Sequence, residues 1–128
     1  MEPSDVKWFS RSESNRDKSL TVFITELENG VVLVVSDKGP RLGTIALGLP
    51  SPVVKTQIDT SSMPIVFGIK NDLLTRAIAE RVAHYCQKIV ITSTFLSDSS
   101  PEMAQRSLKF AEESIREYFT KKETSRNE

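Results

Sequence analysis

Five consecutive apolar residues, Val31-Val32-Leu33-Val34-Val35, constrain this chain more than any other stretch. A strand sends successive side chains to opposite faces, so an unbroken apolar run asks for cover on both. The remaining sequence offers two amphipathic helices, enough for one face of a small sheet. The second face needs another cover. A partner subunit is the leading candidate, since a large open apolar patch is rare on a soluble monomer. The alternative is that the segment Pro50 to Pro64, with the start of the chain, folds over that face within the monomer.

The elements around this run can be placed in order. Val6-Lys7-Trp8-Phe9 predicts a short extended segment docked on the domain. Ser10 to Ser19 holds no apolar side chain and predicts a solvated polar loop. Leu20 to Leu27 and Val31 to Ser36 are rich in β-branched residues and flank Asn29-Gly30, which predicts a hairpin with a type I′ turn. Asp37-Lys38-Gly39-Pro40 makes a second turn and Leu42 to Leu49 a further strand, weakened by its glycines. Val53 to Ile58 reads as strand or extended loop, and Ile65 to Ile69 as a short strand. Leu74, Ile78, Val82 and Tyr85 repeat at helical spacing after a cap at Asn71 or Asp72. Lys88 to Phe95 is again apolar on both faces. Ser99 and Glu102 make a capping box around Pro101, opening a helix with Ala104, Leu108, Ala111, Ile115 and Tyr118 or Phe119 on one face. Glu112 and Arg116 are spaced to pair on its solvent side. Residues 120–128 are polar and predict a flexible tail. The expectation is a single α+β domain over 1–128: a mostly antiparallel sheet of about six strands with two main helices on one face.

Balanced charge, 17 basic against 17 acidic residues, and the lack of a basic patch argue against nucleic acid as a partner. No apolar run approaches the roughly 18 residues of a membrane span. The single cysteine, Cys86, excludes an internal disulfide; with no signal peptide in view, the expected home is cytoplasm or nucleus. Chemistry is scarce. His84 and Cys86, two positions apart on a helix, diverge by roughly 200° and cannot form a dyad. One His and one Cys are too few for zinc. Gly39-Pro40-Arg41-Leu42-Gly43 lacks the ending of a phosphate loop and joins strands, which makes it a turn. No catalytic residue, metal site or cofactor is expected.

Pairing Leu27 with Val32 and Thr25 with Val34 sorts the hairpin into two faces. Leu20, Val22, Ile24, Val31, Leu33 and Val35 make the aliphatic one, suited to lie under helices. Phe23, Thr25, Leu27, Val32 and Val34 make a mixed face, closer in character to a subunit interface. In the later strand the same logic selects Val90, Thr92 and Thr94. These eight are the expected partner-interface residues.

Several segments, in order, resemble the proteasome assembly chaperone family. Asp5-Val6 through Phe9-Ser10 resembles its opening strand, and Ser62-Met63-Pro64 its step before a short strand. Leu73 to Ala79 resembles its first helix, Gln87 to Ser93 the strand after it, and Phe110 to Phe119 its closing acidic helix. The resemblance is to the fourth chaperone type, the heterodimer partner of the third. It implies a non-enzymatic protein that pairs sheet against sheet with a second small chaperone. The pair would bind an α-type subunit of the 20S proteasome, promote correct α-ring formation, and then leave. A trafficking or signalling scaffold of roadblock or longin type is the competing interaction-module reading.

Overall fold

The computed structural model describes residues 6–15, 18–50, 66–68, 70–98 and 100–127. Six strands, β1 (Phe9–Asn15), β2 (Lys18–Leu27), β3 (Gly30–Ser36), β4 (Thr44–Gly48), β5 (Val66–Phe67) and β6 (Ile89–Phe95), form one sheet in the order β1-β2-β3-β6-β4-β5. Two helices, α1 (Asp72–Cys86) and α2 (Pro101–Asn127), lie on one face of it. Pairing is antiparallel everywhere except β3 with β6, which run parallel at the centre. The chain is therefore α+β with an open, mostly antiparallel sheet, as the order of elements predicts. The two strands that read as apolar on both faces are the two that meet in the parallel pair. Central strands bury both sides more than edges do, which is why their sequences do not alternate.

Local detail departs from expectation in several places. Within the stretch expected as a loop, the described residues 10–15 and 18–19 are strand: β1 pairs with β2 from Phe9↔Ile24 to Asn15↔Lys18. What holds this polar edge strand is charge. On the helix side, Glu13 accepts from Arg106 Nε at 2.7 Å, and Arg11 Nε lies 3.3 Å from Glu117 Oε2 with its guanidinium over the Phe110 ring. Residues 120–127 are not a separate tail either, since α2 continues through them.

The hairpin register is offset from the predicted one. Leu27 pairs with Gly30 and Thr25 with Val32, so the turn residues are Glu28 and Asn29. Neither Asn29 nor Gly30 has a positive φ, so the turn is not type I′. The offset is two residues, and a strand repeats every two, so each side chain keeps its predicted face. Gly30 matters for another reason: a Cβ there would stand 2.9 Å from the Ile89 carbonyl oxygen, at the start of β6.

The helices also differ at their ends and outer faces. Asn71, at φ 63°, precedes α1 without a side-chain cap; Thr75 Oγ1 donates instead to the Asn71 carbonyl at 2.7 Å. Helix α2 is capped by Ser100, whose Oγ accepts from Met103 N–H at 3.2 Å, with Pro101 as its first residue. The expected cap, Ser99, lies outside the described residues, as do Val53 to Ile58 and most of the segment Pro50 to Pro64. Glu112 pairs with Arg81 of α1 at 2.7 Å, while Arg116 packs over the Tyr85 ring. These contacts clamp the two helices together on their outer side. Tyr85 is consequently exposed, and the buried stripe of α1 runs through Leu74, Thr75, Ile78, Ala79, Val82 and Ala83.

The core lies between helices and sheet. Leu20, Val22, Ile24, Val31, Leu33, Val35 and Val90 meet Ile78, Val82, Phe110, Ala111 and Ile115. Small residues let the layers approach closely. Gly48 of β4 lies so near the Ala79 backbone that a Cβ would not fit, which seats α1 directly on β4 and β6.

Candidate partner-binding face

Neither helix lies on the second face of the sheet. Cross-strand register sorts its residues into rows. One runs Thr25–Val32–Ile91–Leu47 across four strands, and the next runs Phe23–Val34–Ser93–Ile45. A third joins Leu27 to Gly30 and Ile89. At about 4.8 Å per strand, the first row spans roughly 14 Å. Its side chains are aliphatic or hydroxyl-bearing, with no charge among them.

Five of the eight expected interface residues lie on this face. Phe23 and Val32 are half-buried and Leu27 is exposed, as a docking surface requires. Thr25 and Val34 are on the same face but already covered within the chain. The Thr25 hydroxyl donates to the Lys7 carbonyl at 2.6 Å. Val34 forms the floor of a groove of roughly 200 Å³ walled by Trp8, Phe23, Pro40, Arg41 and Leu42.

Val90, Thr92 and Thr94 lie on the opposite face. They pair with Val31, Leu33 and Val35 respectively, and share their burial beneath the helices at 0, 0 and 1 % exposure. The residues of β6 that face outward are Ile89 and Ile91, 39 and 44 % exposed. Polarity was the wrong guide here. Threonine beneath helices is accommodated here because α1, the helix packed on β6, buries the small residues Ala79 and Ala83. The β-propensity of threonine then outweighs its hydroxyl. The parallel register against β3 was the missing signal.

Trp8 and Leu42, both strongly exposed, also border this face, Trp8 as part of the start of the chain that the alternative reading lays over it. Trp8 precedes Phe9, whose side chain packs towards Tyr118 on the helix side with ring centroids 5.7 Å apart. Alternation along an extended segment carries Trp8 to the other side.

At one end of the helix face sits the most perturbed carboxylate. Burial alone would raise the Glu26 pKa, but hydrogen bonds from Lys122 (2.6 Å), Lys88 and the Tyr118 hydroxyl (3.0 Å) overcome it and hold the group at about 2. The same environment, burial first and then the Glu26 charge, pushes Tyr118 up to about 12. This is an ionised, fully engaged carboxylate that ties the C-terminal half of α2 to β2 and β6. Oε1 accepts from Lys122 and Tyr118 and Oε2 from Lys88, so both oxygens serve structural bonds. Burial pushes the Cys86 thiol up, away from the reactive thiolate. Among the described residues no group of His, Cys, Asp and Glu converges as a metal site, and no helix is long and apolar enough to cross a membrane.

Fold and surface together define a small α+β module with one helix-covered sheet face and one largely aliphatic face that, among the described residues, no helix covers. No family model matches the chain, and no curated protein matches it in sequence. Among solved structures, the fold is similar to a chain of the crystal structure of a chaperone complex for yeast 20S proteasome assembly. The TM-score is 0.59 at 17 % identity, covering 90 % of this chain and 96 % of that one.

Proposed function

We propose that this protein is a non-enzymatic chaperone of 20S proteasome assembly, of the fourth-chaperone type, working as a heterodimer with a second small chaperone. The observation that carries the reading is the aliphatic sheet face that no described helix covers, on a fold similar to a chain of a proteasome assembly chaperone complex. Phe23, Leu27, Val32, Ile89 and Ile91 would supply the sheet-to-sheet contact; Val90, Thr92 and Thr94 belong to the core and are withdrawn from it. The heterodimer would bind an α-type proteasome subunit, favour correct α-ring formation and then be displaced. Complementarity and competition suffice for this, with no cofactor and no nucleotide. Cytoplasm or nucleus, where proteasomes are built, is the proposed location.

Affinity purification of the tagged full chain from its native cell tests the proposal. Co-recovery of proteasome α subunits with a second small chaperone is the expected result. Recovery of membrane-tethering or GTPase partners in their place would point to a trafficking scaffold and overturn it.

A further inference from the structure

Trp8 separates two cavities. On the open face it walls the apolar groove with Phe23, Val34 and Leu42. On its other side it lines a second cavity of about 450 Å³ with Lys7, Phe9, Glu26, Tyr118, Lys121 and Lys122. The charge of this second cavity is unbalanced. Three lysines face it against one carboxylate, and Glu26 is already shared between Lys122 and Lys88. Lys121 has only a loose contact, 3.8 Å to Glu117 Oε1, and Arg11 also draws on Glu117. Its ammonium instead rests 5.6 Å from the centre of the Phe9 ring. The Lys7 side chain makes no ion pair among the described residues. An aromatic-walled recess with two under-used ammonium groups is complementary to a carboxylate.

We propose that the two cavities form a two-part site for an extended, acidic segment of a protein partner. An apolar side chain of that segment enters the groove over Val34, and the carboxylate of the next residue reaches Lys7 and Lys121. Neighbouring side chains of an extended chain point to opposite sides, which suits two recesses on the two sides of a single indole. The inference rests on the reading that this chain works through protein partners, and it names the chemistry of one of them.

Trp8 is the only tryptophan, so its emission reports on both recesses at once. The full chain is titrated with a pool of acetylated octapeptides that alternate Asp or Glu with Leu, Ile, Val or Phe. A saturable blue shift is expected, absent with a matched pool carrying Lys for the acids. Lys7→Glu with Lys121→Glu should weaken binding about tenfold at low salt and flatten its salt dependence. Circular dichroism should show that this surface variant stays folded. No Trp8 response, an equal response to the lysine pool, or indifference to the double variant overturns the proposal. So does a Trp8 emission that is already blue and moves red on Glu2→Ala with Asp5→Ala, because the chain's own start would then fill the site. Purification of the double variant from cells separates the two readings. Full retention of partners that the parent chain recovers sinks this site alone. If the parent recovers no proteasome subunit, the chaperone reading fails while the peptide titration still decides the site.

Discussion

Replacing Thr92 by valine should make the protein more stable. Thr92 is fully buried on β6, between Leu33 of β3 and Ala46 of β4 and beneath the helices. Its Oγ1 has no hydrogen-bond partner among the described residues. A buried hydroxyl without a partner forfeits its hydration, a cost of about 1–3 kcal/mol. Valine has nearly the same shape, keeps the β-branched preference for a strand, and puts a methyl where the hydroxyl stood. Allowing for imperfect packing of that methyl, the net gain is about 1–2 kcal/mol. With an unfolding entropy near 2.1 cal/mol/K per residue, a chain of 128 residues gains about 4 °C in Tm for each kcal/mol. A shift of roughly 4–8 °C is therefore expected. Urea unfolding followed by far-ultraviolet circular dichroism should show a higher midpoint at constant m, since the same surface is exposed on unfolding. Partner recovery from cells should be unchanged, because the residue does not reach the open face. A lower midpoint, or a stable variant that loses its partner, would refute the reasoning and return Thr92 to an interface.

Two further perturbations test the two sides of the sheet and the carboxylate at its end. Leu33→Asp buries an unpaired charge under the helices and should cost at least about 4 kcal/mol, enough to unfold the chain in a thermal melt. Val32→Asp, half-exposed on the open face, should leave the fold standing and abolish co-purification of the partner chaperone; equal unfolding by both would make both faces internal core. Glu26, with its folded pKa lowered to about 2 from an ordinary 4.5, contributes stability that is present above about pH 4.5 and is lost as pH falls towards 2. Glu26→Gln should therefore destabilise by roughly 2–3 kcal/mol at pH 7 and by little near pH 2. Urea midpoints at the two pH values measure the difference, and a penalty independent of pH would show that the charge is not what Glu26 contributes.

The parts of the fold legible in the sequence were those with a local cause. The stripe Leu74, Ile78 and Val82, the hairpin around Asn29 and the run at Val31 each declare themselves within a few residues, because periodicity and turn chemistry act at short range. Even the misplaced hairpin register did no harm to the face assignment, since an offset of two preserves alternation. Ser10 to Ser19 was read as a loop because its side chains gave no core signal. Its strand is held by backbone pairing to β2 and by ion pairs with α2, including Arg106 about ninety residues away. Polar composition tells nothing about such distant partners.

The aliphatic run from Val31 to Val35 asked by itself for cover on two sides, and the sheet order then places the strand at the centre. Leu33 and Val35 lie in the core as that run demanded, and Val32 remains half-exposed on the face without helices. Which residues of β6 share each face was decided only by tertiary structure. Parallel pairing sets Val90, Thr92 and Thr94 beside Val31, Leu33 and Val35, and leaves Ile89 and Ile91 outward. Alternation within one strand separates its two faces. Only the register between strands far apart in sequence says which face is which, and that register is made by contacts between distant segments, as where Gly30 leaves room for the Ile89 carbonyl.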